Sequence, residues 1–128
     1  MNSINLNQVP EFYHNYIRLV EEEDLKIAFE KMSLELFGLF SEFDSSKWNY
    51  RYAENKWSIK EMVQHIIDTE RIFSYRALCI AREDATPLPG FDENEYASSA
   101  RADKREINDL LEELKLVRKS AKYLFSSL

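Results

Sequence analysis

Apolar side chains return every three or four residues in three long stretches of the chain, and the segments between them break that period. The first stretch covers residues 24–43, where Leu25, Ala28, Phe29, Met32, Leu36, Leu39, Phe40 and Phe43 fall on one face of a helix. A shorter helical piece opening at Pro10 is expected ahead of it. Over residues 44–57 the period is lost, and Tyr50 and Tyr52 alternate as in an extended connector. The second helix has the sharpest start. Ser58-Ile59-Lys60-Glu61 matches a capping box, with Trp57 and Met62 spaced to form the hydrophobic staple around it. Its apolar face reads Ile59, Met62, Val63, Ile66, Ile67, Phe73 and Ala77, and it is expected to run to about residue 84. Residues 86–91, Thr-Pro-Leu-Pro-Gly-Phe, predict a loop, because the prolines remove backbone donors and Gly90 favours a turn. Residues 92–100 have room for a short turn. A second box-like signal, Asp103 with Glu106, predicts the start of a third helix carrying Ile107, Leu110, Leu111, Leu114, Val117, Ala121, Leu124 and Phe125. The expected fold class is all-α.

Two charges interrupt these faces. On a helical wheel Glu70 falls among Val63, Ile66, Phe73 and Ala77, and Arg118 falls among Leu111, Leu114, Ala121 and Phe125. A buried unpaired charge is costly, so the two are expected to meet between antiparallel helices, either as a register-setting ion pair or as part of a polar cavity. His65 lies on the flank of the second-helix face, in one stripe with Thr69, Ile72 and Arg76, and looks into an inter-helix groove. It reads either as a hydrogen-bonded boundary residue or as a metal or catalytic group. His14, between Tyr13 and Tyr16, makes a weaker case.

Composition narrows the function classes. Two glycines and three prolines in 128 residues disfavour turn-rich β folds, and 45% apolar with 13% aromatic residues supplies a core for one domain, residues 1–128. Net charge is −6, from 17 basic and 23 acidic residues, and no segment concentrates Lys and Arg, so nucleic acid is an unsuitable partner. No apolar run approaches the roughly 20 residues of a membrane helix, and residues 1–8 lack the basic and apolar regions of a leader. The lone Cys79 reads as an apolar filler in a reducing compartment, and the expected localisation is cytoplasmic. The acidic run Glu21-Glu22-Glu23-Asp24 suits the positive end of the first long helix. Phosphate-binding glycine loops, nucleophile elbows, Cys-x-x-Cys and His-Glu-x-x-His patterns are absent from the sequence.

The string Lys56-Trp57-Ser58-Ile59-Lys60-Glu61, followed by His65-Ile66-Ile67-Asp68-Thr69-Glu70-Arg71, resembles the second helix of the DinB/YfiT-like family of metalloenzymes. Leu88-Pro89-Gly90-Phe91-Asp92-Glu93-Asn94-Glu95-Tyr96 and Val117-Arg118 extend the resemblance over essentially the whole chain. It implies a bacterial, cytoplasmic up-down-down-up four-helix bundle, of which this chain supplies about three long helices and a short N-terminal one. It also implies a divalent metal, zinc or nickel, held by a histidine of the second helix and a His-x-x-x-His pair of the fourth. The activity implied is that of a metal-dependent hydrolase or thiol transferase acting on a small molecule. The second-helix ligand falls on His65, and the pair falls on nothing in this sequence, so the 128-residue chain alone is expected to bind divalent metal weakly or not at all. The alternative class is a non-catalytic helical module for self-association or a protein partner. Faces that lack a fourth neighbour predict a homodimer or larger homo-oligomer.

Overall fold

The computed structural model describes residues 4–20 and 24–128. Its described residues form five α-helices, α1 (His14–Arg18), α2 (Leu25–Ser41), α3 (Ile59–Ala81), α4 (Glu93–Ala100) and α5 (Ile107–Ser126), with short 3-10 turns at Leu6–Gln8, Glu11–Tyr13 and Ala102–Lys104 and no strand among them. The chain divides into two compact units, residues 1–40 and 41–128.

In the first unit, Glu11–Tyr13 and α1 form the helical piece expected at Pro10. The α2 helix begins where Asp24 accepts the Ile27 amide on its side chain and the Ala28 amide on its carbonyl. Asp24 thus caps the helix, a role beyond the negative charge expected at its start; Glu21, Glu22 and Glu23 lie outside the described residues. Along α2 the predicted stripe is buried at Ala28 and Phe40 and exposed at Leu25, Met32 and Leu39.

The second unit is organised around α3. Its capping box forms as read: Ser58 Oγ accepts from the Glu61 amide at 3.1 Å, and Glu61 Oε2 accepts from the Ser58 amide at 2.8 Å. The connector folds back over this end, with the Trp48 and Tyr50 carbonyls accepting the Lys60 and Ile59 amides. Asp103 takes a different role from the one its spacing suggested. Instead of capping α5, it accepts from Ser58 Oγ at 2.6 Å and from Arg51 at 2.6 Å, and α5 begins four residues later with Glu106 at its N-cap and no side-chain cap. A buried hydroxyl and a guanidinium offer Asp103 more than a helix terminus does.

The expected antiparallel packing of α3 and α5 is overturned. Ser58 meets Asp103, Gln64 meets Arg105, Arg71 meets Glu113 and Glu70 meets Arg118, so contacts advance along both helices together and the two run parallel. Parallel neighbours need a return path, and residues 82–106 provide it. The chain leaves α3 through Glu83 at φ 56°, passes the prolines, and forms α4, capped by Asp92 on the amides of Asn94 and Glu95. It then turns at Arg101, φ 52°, back to the start of α3. The short turn expected at residues 92–100 is thus a full helix running against α3. Val63 and Ile67 of α3 and Leu110, Leu114 and Ala121 of α5 form the buried core of the pair, joined by Ala97 and Ala102. Two residues of the predicted α3 face are not part of it: Met62 is 46% exposed and Phe73 51%.

Candidate functional site

Polar groups on α3 fall on two sides. Toward α5, the charges that interrupt the apolar faces are brought together: Arg118 donates to Glu70 at 3.2 Å, with 15% and 16% of their side chains exposed. Burial pushes the Glu70 carboxyl above its ordinary value, and the neighbouring Arg118 charge offsets only part of that. Beside it Glu113 accepts from Arg71 and Arg105. Burial acts on Glu113 in the raising direction, but the hydrogen bonds from these two guanidinium groups outweigh it and hold the carboxyl below its usual value. Gln64 links Asp68 to Arg105, donating to the first at 2.9 Å and accepting from the second at 2.8 Å.

On the other side lies the stripe of His65, Thr69, Ile72 and Arg76. His65 is half-buried, with its ring against that of Trp57, centroids 4.8 Å apart and planes inclined at 45°. Trp57 is placed there because it immediately precedes the capping box, so the node that starts α3 also sets the indole beside the imidazole. Among the described residues no hydrogen bond reaches the His65 ring. One turn on, Thr69 Oγ1 is buried without a hydrogen-bond partner. A helical threonine commonly returns its hydroxyl to the carbonyl four residues back. Thr69 does not, leaving an unsatisfied polar atom next to the imidazole's own turn.

The remaining candidates are occupied elsewhere. His14 Nε2 lies 2.8 Å from the Val9 carbonyl and ties down the N-terminal turns. Cys79 is buried, as a small filler would be. Asp68, the carboxylate nearest His65 along the helix, is turned to Gln64. Trp57 and Thr69 were not legible as neighbours of a site: the first carried a staple signal, and the second carried none beyond sharing a stripe with His65.

The family model of the DinB superfamily matches residues 28–128. The chain belongs to the DinB superfamily. No curated protein and no solved structure matches it. The all-helical architecture of its described residues agrees with a DinB-like helical bundle. No helix among the described residues is long and apolar enough to cross a membrane.

A metal implied by this DinB family can be tested against the donor set. Among the described residues no three His, Cys, Asp or Glu side chains come together as a metal-binding group. Catalytic zinc takes three protein ligands and one open position. The described residues therefore do not fit the complete site.

Proposed function

We propose that this DinB-superfamily chain belongs to a metal-dependent enzyme of the hydrolase or thiol-transferase class acting on a small molecule. In this reading His65 is the α3 ligand for divalent zinc or nickel, and the other ligands come from atoms that are not among the described residues of one chain. The observation that supports it is the state of His65: an imidazole oriented by Trp57 yet without a hydrogen-bond partner, one turn from an unsatisfied Thr69 hydroxyl. A histidine retained only for packing would ordinarily satisfy its ring nitrogens. The test is a titration of the purified chain with zinc or nickel, followed on the imidazole resonances. The His65 ring is expected to shift before His14, with weak uptake that disappears in His65→Ala. Equal uptake by wild type and His65→Ala overturns the reading.

A second reading, a non-catalytic helical module for self-association, is favoured by Phe73 and Ile80, which stay 51% and 72% exposed on α3 near the helical stripe of Thr69. Light scattering at micromolar concentration separates the two: a dimer mass lost in Phe73→Asp supports the module, and a monomer counts against it.

A further inference from the structure

The second half of α3 and the loop after it enclose a cleft of about 240 Å³, lined by Ile72, Tyr75, Arg76, Leu88, Phe91 and Tyr96 among others. Its wall is built by the return path. Arg76 donates from one terminal nitrogen to the Pro89 carbonyl at 2.9 Å, pinning the loop against the helix. Phe91 packs on Tyr96, ring centroids 5.1 Å apart. The Arg76 guanidinium carbon lies 5.7 Å from the Phe73 ring centre and 5.9 Å from that of Phe91, so two aromatic rings flank its charge. Both rings are within cation–π range.

What distinguishes Arg76 is its charge balance. The other arginine lining the cleft, Arg71, is neutralised by Glu113 at 2.6 Å. Among the described residues no carboxylate pairs with Arg76; its partners are one backbone carbonyl and two rings. A guanidinium has five N–H donors in a planar fork, and Pro89 takes one. Anchoring the loop uses one of these donors and leaves the charge and the remaining N–H groups available.

We infer that this cleft is a binding site for a small organic monocarboxylate, its carboxylate on the free edge of Arg76 and its apolar body against Ile72, Leu88 and Phe91. One uncompensated positive charge matches a monoanion better than a doubly charged phosphate, and planar guanidinium groups take carboxylates through paired N–H bonds. At about 240 Å³ the cleft is small, which suits a body of roughly one ring or a short branched chain. This site stands apart from the proposed metal ligand: Arg76 is eleven residues beyond His65, about 16 Å along the helix at 1.5 Å per residue. Its fate is therefore independent of the metal reading.

Benzoate titrated into the full chain, followed on the Phe91 and Tyr96 ring resonances, tests it. Saturable binding in the millimolar range is expected, with neutral benzamide and inorganic phosphate each markedly weaker. Arg76→Gln is expected to weaken benzoate roughly tenfold or more, the loss of a charge-assisted contact. Because that change also removes the loop anchor, Leu88→Trp serves as a second variant: it leaves the guanidinium in place, fills the cleft, and is expected to abolish binding. No saturation by benzoate, equal binding of benzamide, tighter binding of phosphate, or unchanged affinity in folded Arg76→Gln or in Leu88→Trp each overturns the assignment.

Discussion

The two sides of α3 handle polar groups in opposite ways. Toward α5, every polar side chain considered above has a partner: Glu70 with Arg118, Arg71 with Glu113, Gln64 between Asp68 and Arg105. On the other side, among the described residues, His65 has a ring contact and no hydrogen bond, Thr69 Oγ1 has no hydrogen-bond partner, and Arg76 has a carbonyl and two rings beside it but no carboxylate. Both sides belong to one helix with one start signal, so local propensity does not explain the difference. Neighbours do. The side toward α5 is closed by a helix that brings complementary charges at matching heights, whereas the Arg76 end of the other is lined by the loop of Leu88, Pro89 and Phe91 and by Tyr96. Satisfied polar groups serve folding, and unsatisfied ones mark where binding has chemistry left to use.

The largest expected effect lies on the closed side. Arg118→Met strands the Glu70 carboxylate against apolar neighbours and should cost about 3 kcal/mol of stability, read as a lower urea midpoint. If the loss is only a few tenths of a kcal/mol, the pair is behaving as a solvated one and the contrast between the two sides fails. Thr69→Val works in the opposite direction. It keeps the shape and removes the buried unpartnered hydroxyl, so stability should rise by about 1 kcal/mol; a fall of similar size would reveal a partner for Oγ1 and break the comparison from the other side.

The smallest effect is in pH dependence. Because the Glu70 carboxyl is raised in the folded chain, the folded state holds its proton more tightly than the unfolded one. Its favourable contribution is therefore fully present below the unfolded value near 4.5 and is lost as pH rises through the folded value. Denaturation of wild type against Glu70→Gln should show wild type losing relative stability as pH increases from about 4.5. A gap that stays flat through that window would mean the carboxyl is as well solvated folded as unfolded.

Much of this architecture was legible in the residues themselves. The start of α3 follows from Ser58 and Glu61 because a capping box is local: both partners lie within one helical turn. The meeting of Glu70 with Arg118 was legible for a different reason, since two charges at the centres of apolar stripes have few low-energy alternatives to each other. The direction of α5 was not. An amphipathic stripe says which face is buried and nothing about which way the neighbouring helix runs, and the parallel arrangement depends on how residues 82–106 fold back along α3. Asp103 shows the same boundary between local and distant information. Its spacing to Glu106 reads as a cap, but Ser58 and Arg51, some fifty residues earlier, compete for its oxygens and win. The state of the His65 face was likewise decided in three dimensions: the sequence put histidine, threonine and arginine on one stripe, and only packing determined that Trp57 would orient the first, nothing would bond the second, and a proline carbonyl and two rings would receive the third. Helix identity and start rest on contacts within a turn, which one stretch of chain can specify alone; helix direction and the satisfaction of each polar atom rest on partners that the chain meets only once it has folded.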